Sequence, residues 1–169
     1  MEHIVYLSIG SNLGDKLDAC LTALKILDES QQVRVLARSS AYETNPVGFL
    51  DQPCFVNMAA QIVTSLDPLG LLSLLKKIEK KVGRIPGVRW GPRVIDMDIV
   101  LYDQLLLDEP SLHIPHKRMH ERAFVLVPLC EIAPDVLHPV LKKTAAQMLS
   151  DLDENAVGVR KLDDLVNNA

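Results

Sequence analysis

Strand-like and helix-like segments follow one another in the order β-α-β-β-α-β, and this predicts an α+β fold of the ferredoxin-like sandwich type with additions at its C-terminal end. Two observations carry the expectation. Short apolar stretches rich in β-branched residues alternate with longer segments whose leucines recur at helical spacing, and capping residues, prolines or glycines stand at the joins. The second and third strand-like stretches also succeed each other with no helical segment between them.

Residues 3–9 read as a buried strand, and Gly10, Ser11, Asn12 and Gly14 mark a tight turn after it. From Asp15 onward Leu17, Leu21, Leu24 and Leu27 form one apolar stripe among Lys and Asp, the pattern of an amphipathic helix. Residues 33–43 and 55–64 read as strands, joined by a Pro- and Gly-bearing loop over 44–53 that is too elaborate for a minimal hairpin. Asp67 as N-cap, Pro68 at the first helical position and Gly83 as stop bracket a second helix with Leu72, Leu75, Ile78 and Val82 on its apolar side. A polar loop over 84–93 leads to a strand over 94–102. Beyond it the pattern predicts a hairpin within 105–114, a helical stretch after Pro115 and His116, interruptions at Pro128, Pro134 and Pro139, a last helix over 144–152 and an edge strand within 157–162.

At 169 residues the chain is read as one domain over 1–169, able to bury roughly 70% of the surface of its unfolded form. A net charge of −4 offers no footprint for neutralising a polyanion, so no nucleic-acid partner is expected. Cys20, Cys54 and Cys130 are odd in number, far apart and set among apolar neighbours, which predicts buried free thiols in a reducing cytoplasm. No basic-apolar leader and no stretch of about 20 apolar residues is visible, so neither export nor a membrane is expected. A monomer is the default.

The sharpest chemical feature is Asp96 and Asp98 in a strand otherwise made of Val94, Ile95, Met97, Ile99, Val100 and Leu101. Side chains two apart share one strand face, with Cα atoms about 6.6 Å apart, so both carboxylates can approach hard cations such as Mg²⁺. Solvated acids on an exposed face are the plainer alternative; the lack of interleaved Lys or Arg in so apolar a strand favours the metal. Arg84, Arg89 and Arg93 precede the pair, and guanidinium groups suit phosphate oxygens, so beside a metal they read as a clamp for ATP. Trp90 stands among them as a packing residue or a stacking surface. His116 and His120, four apart on an expected helix, with His113 nearby, suggest a three-histidine zinc site only weakly; hydrogen bonds from His116 to phosphate, beside Lys117, Arg118 and Arg122, and a structural role are the alternatives. The glycines of 10–14 do not form a phosphate loop, because Asp15 intervenes and Leu17 replaces the required hydroxyl.

Taken together, Gly10, Ser11, Asn12, Leu13 and Gly14; Tyr42 through Pro46; Gln52 through Asn57; Arg89 through Asp98; Ile114, Pro115 and His116; Arg122, Ala123 and Phe124; and Pro128 through Pro134 resemble the 6-hydroxymethyl-7,8-dihydropterin pyrophosphokinases of folate synthesis. The likeness covers nearly the whole chain in order. It implies attack of a pterin hydroxymethyl oxygen on the β-phosphorus of ATP, with AMP as the leaving group. It also implies two Mg²⁺ ions on Asp96 and Asp98, with Arg84 and Arg93 joining them as catalytic residues. Glu79, Trp90, Ile99, His116 and Arg122 complete the implied ATP site. The implied pterin site consists of Thr44, Pro46, Val47, Phe55, Asn57 and Phe124. A ferredoxin-like binding module without catalysis is the competing class; it has no need of paired acids beside arginines.

Overall fold

The computed structural model describes residues 1–45, 51–83, 94–152 and 158–162. In chain order its elements are β1 (His3–Ser11), α1 (Lys16–Glu29), β2 (Val33–Arg38), β3 (Tyr42–Thr44), β4 (Phe55–Thr64), α2 (Pro68–Val82) and β5 (Asp96–Tyr102). There follow β6 (Leu107–Glu109), β7 (Leu112–Ile114), a 3₁₀ turn at Met119–Glu121, α3 (Ala123–Ile132), α4 (Ala145–Ser150) and β8 (Val159–Lys161).

Six strands form one antiparallel sheet in the order β5-β1-β4-β3-β8, with β2 also paired to β4; β6 and β7 make a separate two-stranded ribbon. Strand alternation divides the sheet into two faces. Val5, Leu7 and Ile9 of β1, with Met58, Ala60 and Ile62 of β4, pack against Leu24 and Leu27 of α1 and Leu71 and Leu75 of α2. On the opposite face Ala59 and Val100 meet Val125, Leu126 and Leu129 of α3 and Met148 of α4. At the cleft end of this second face the short helices leave the sheet open, and Ser8, Gly10, Asn57 and Asp98 look into the opening.

Both long helices begin as their sequence demands. The Asp15 carboxylate accepts the Asp18 N–H, and the Asp67 carboxylate accepts that of Gly70, satisfying donors that a helix start leaves without a partner. α4 carries a reciprocal capping box between Thr144 and Gln147.

Four expectations are corrected. The strand over 33–43 is two strands: Ser39 turns away from the ladder, its Oγ accepting the N–H of Ala59 while its own N–H donates to the Ala59 carbonyl, so β2 and β3 pair with separate stretches of β4. Pro128 does not interrupt a helix but lies inside α3, fully buried. Without an N–H it cannot serve the carbonyl of Phe124, a cost of about 3 kcal/mol that the apolar packing of this helix offsets. His116 and His120 do not share a helix, since His116 precedes the 3₁₀ turn that contains His120. Among the described residues no group of three or more His, Cys, Asp and Glu is placed to hold a metal ion, so the zinc reading has no geometric support. The thiols are free, as expected, but only Cys20 is fully buried; burial pushes it up to about 12, while Cys54 and Cys130 are half-buried. No helix among the described residues is long and apolar enough to cross a membrane.

Candidate active site

Asp96 and Asp98 open β5, the last strand of the sheet on its side, and their alternation with buried Met97 and Ile99 turns both carboxylates to the open face. The outer edge of this strand is not left to water. Buried Glu79 of α2 accepts the N–H of Met97 at 2.9 Å, and the Val100 carbonyl accepts the N–H of His116 at 3.0 Å. Glu79, only 1% exposed, also accepts from Lys76 at 3.3 Å. It stands behind the acidic pair and braces the peptide between the two carboxylates.

In front lies a cleft of about 490 Å³. Of the residues singled out from the sequence it gathers Thr44, Phe55, Asn57, Asp96, Asp98, Ile99, His113, His116, Arg122 and Phe124, contributed by strands, loop and helix far apart in the chain. Glu79 does not line it. Pro46, Val47, Arg84, Trp90 and Arg93 fall outside the described residues. Sequence reasoning passed over Ser8, Gly10, Leu72 and Lys76 in the wall of the cleft, and treated Lys117 and Arg118 only as a basic setting for His116. The helical spacing of Lys76 four residues after Leu72 could have signalled that one polar position of α2 faces the same way as an apolar one.

The two ends of the cleft differ in charge. At the acidic end, burial and then the neighbouring Asp96 push Asp98 up to about 7, against the opposing pull of Lys76 and Arg122. Burial, reinforced by Arg122, brings His116 down to about 4, so the ring is neutral near pH 7. Its Nδ1 accepts the N–H of Arg118 at 3.2 Å, which puts the proton on Nε2. Arg122 lies below its ordinary value through burial and then through Arg118, and its guanidinium sits 5.4 Å from the Phe124 ring centroid.

The other end is neutral and tightly bonded. Asn57 and Thr44, 4% and 3% exposed, are joined by an Asn57 Nδ2–H donating to Thr44 Oγ1 at 2.6 Å. Register fixes where Asn57 stands relative to the acids: Gly10 of β1 lies between Asn57 on β4 and Asp96 on β5. A Cβ at Gly10 would stand 2.6 Å from Asn57 Oδ1, so only glycine lets the amide lie across the strand. The turn after β1 also fastens this end. Fully buried Asn12 donates to Gln52 Oε1 at 2.8 Å and to the Pro53 carbonyl at 3.1 Å, tying down the approach to Phe55.

Fold and cleft together define a mixed α/β protein with an antiparallel sheet and a one-sided acidic site facing cations, an arrangement suited to handling phosphates beside a metal. Residues 6–134 match the family model described as 7,8-dihydro-6-hydroxymethylpterin-pyrophosphokinase. A 2-amino-4-hydroxy-6-hydroxymethyldihydropteridine pyrophosphokinase of Bacillus subtilis is 46% identical over 136 residues, covering 80% of this chain and 81% of its own. One of Methylorubrum extorquens is 43% identical over 152 residues, covering 90% of this chain and 95% of its own. The folic acid synthesis protein fol1 of Schizosaccharomyces pombe is 42% identical over 91% of this chain, which spans only 21% of that longer protein. A crystal structure of Plasmodium falciparum HPPK-DHPS with pteroate shares the fold at a TM-score of 0.71 and 17% identity, over 89% of this chain and 42% of that one. The chain belongs to the 7,8-dihydro-6-hydroxymethylpterin-pyrophosphokinase family, the pyrophosphokinases of folate synthesis.

Proposed function

We propose that the protein takes ATP as donor and 6-hydroxymethyl-7,8-dihydropterin as acceptor, working as a monomeric single domain over 1–169 in the cytoplasm, on a sheet whose strand order we read as ferredoxin-like. The hydroxymethyl oxygen forms a bond to the β-phosphorus, the bond from that phosphorus to the oxygen bridging the α-phosphorus breaks, the hydroxyl proton is released, and AMP departs. The observation that carries this reading is the single cleft in which Asp96, Asp98, His116 and Arg122 face the same space as the Thr44–Asn57 pair.

The donor set fits Mg²⁺. Two carboxylates share one face, and Asp98, raised to about 7 by burial and by Asp96, is a carboxyl whose ionised form gains from a hard cation. Two Mg²⁺ ions held by Asp96 and Asp98 would neutralise phosphate charge and lower the barrier to displacement. The protein's own groups bind and orient. His116 donates from Nε2 and Arg122 from its guanidinium to phosphate oxygens, while Leu72 and Ile99 line the nucleotide's apolar side. Phe55 and Phe124 sandwich the pterin ring, and Thr44 and Asn57 read its polar edge, where a site built of buried hydrogen-bonding groups rejects analogues that leave them without partners. Arg84, Arg93, Trp90, Pro46 and Val47 complete the sites in this reading, and Glu79 acts from behind the strand.

The test is the nucleotide product. Protein mixed with Mg²⁺, ATP and the reduced hydroxymethyl pterin is expected to release AMP with a pterin diphosphate ester, followed by phosphorus NMR. ADP with a monophosphorylated pterin would overturn the pyrophosphate transfer, and loss of neither activity nor nucleotide binding on chelation would overturn the metal.

A further inference from the structure

Thr44 and Asn45, which line the cleft, sit at the end of a strand only three residues long. On one side Tyr42, Glu43 and Thr44 pair with Asn57, Val56 and Phe55 of β4. On the other they pair with Lys161, Arg160 and Val159 of β8, which lies outside the residues matched by the family model. The Leu162 N–H donates to the Ala41 carbonyl at 2.9 Å, extending the ladder, and the Leu162 side chain packs against the main core. Gly158, at φ 48°, lies so close to the Asn45 side chain that a Cβ there would be 2.8 Å from Asn45 Nδ2. Glu131 of α3 braces β3 from another direction, accepting the Tyr42 hydroxyl at 2.8 Å and the Ser40 N–H, with Lys161 of β8 3.5 Å away.

Without β8, this short strand would be an outermost strand whose free backbone groups face water, and such strands fray. The flanking ion pair between Arg160 and Glu43, at 2.7 Å, joins side chains 70% and 37% exposed and contributes little by itself. The backbone ladder and the Gly158–Asn45 contact therefore carry the restraint.

We propose that β8 is a positioning strand for acceptor recognition: by holding Thr44 in register with Phe55 and within hydrogen-bonding reach of Asn57, residues 158–162 set the affinity for the pterin without touching it. The proposal rests on the reading of Thr44 and Asn57 as the pterin end of the cleft. It predicts that disturbing β8 loosens one substrate and spares the other, because Asp96 and Asp98 hang on β1, β5 and α2, none of which pairs with β8. A general structural role moves both.

The experiment compares the full chain, a chain ended after Leu152, full-length Gly158→Val, and Thr44→Ala. Calorimetry reads the affinity for a non-hydrolysable ATP analogue with Mg²⁺, and then for the hydroxymethyl pterin in the presence of that analogue. Ending the chain and Gly158→Val are each expected to weaken pterin binding about tenfold, on the scale of one lost hydrogen bond, with nucleotide affinity held within about twofold. Unchanged pterin affinity, or equal weakening of both ligands, overturns the proposal. If the shortened chain loses cooperative unfolding, Gly158→Val decides by the same criteria. Thr44→Ala separates the two levels: weakened pterin binding there with a silent β8 defeats the positioning role alone, whereas a silent Thr44→Ala defeats the pterin site and the proposal with it.

Discussion

The acidic and neutral ends of the cleft are built on opposite physical plans. Around Asp96 the side chains of Asp98, His116 and Arg122 are held away from their ordinary protonation behaviour by burial and by neighbouring charges. At Thr44 and Asn57 two neutral side chains satisfy each other at 2.6 Å inside the sheet. The first end stores unfavourable electrostatics, which in the proposed reading a cation and phosphates would relieve. The second stores no such tension and offers shape and hydrogen-bond pattern. The proposed function thus places chemistry and recognition apart on one face of the sheet, with Gly10 in register between Asn57 and Asp96.

If that separation is real, Asp98→Asn should cut turnover about 10³-fold while leaving pterin affinity intact, since it removes ligand charge and nearly preserves shape. The same substitution should raise the melting temperature of metal-free protein, because a carboxyl that burial and Asp96 disfavour is replaced by a neutral amide. Calorimetry and a turnover assay on one preparation read both, and loss of stability together with activity would break the comparison. Asn57→Ala should do the reverse, raising KM for the pterin about 10- to 100-fold with nucleotide KM unchanged, as expected when a buried polar site loses a partner. A matching rise in both KM values would show that the two ends are not independent. Asn12→Ala acts one step further away, through Gln52 and Pro53, and a rise of only about threefold in pterin KM is expected from steady-state kinetics.

The smallest effect is on stability against pH in the absence of metal. Asp98, raised from 3.8 to about 7 in the folded state, contributes stability that is full below its unfolded value and is lost as pH rises towards 7. His116, lowered from 6.5 to about 4, contributes stability that is full above 6.5 and is lost as pH falls towards 4. The two slopes oppose each other over the same window, so the native chain should show a shallow dependence. Asp98→Asn should expose a stability that rises with pH between about 4 and 6.5, and His116→Gln one that falls with pH between about 4 and 7. Thermal melts across that range check the signs, and parallel curves for all three proteins would remove the electrostatic account of the acidic end.

The acidic end was legible because its information is local. Two aspartates at period two in an apolar strand, and a helix bracketed by Asp67, Pro68 and Gly83, are patterns whose geometry follows from strand and helix repeat alone. The strand over 33–43 misled because nothing local distinguishes Ser39 from a ladder residue until Ala59, twenty positions on, bonds both its backbone N–H and its hydroxyl oxygen. Pro128 misled for the same reason: a proline reads as a stop unless the packing around it outweighs the missing hydrogen bond.

What the sequence by itself determined was the β-α-β-β-α-β order of the main elements, the cap and stop of the second helix, the paired carboxylates and, through its motifs, the family. Only the tertiary structure decided which side chains share the cleft, that Glu79 stands behind the strand while Lys76 reaches the front, that Gly10 makes room for Asn57, and that β8 returns to flank Thr44. Local repeat geometry dictates the first set. The second depends on long-range register and burial, where residues a hundred positions apart are brought within hydrogen-bonding distance and no short stretch of chain holds the answer.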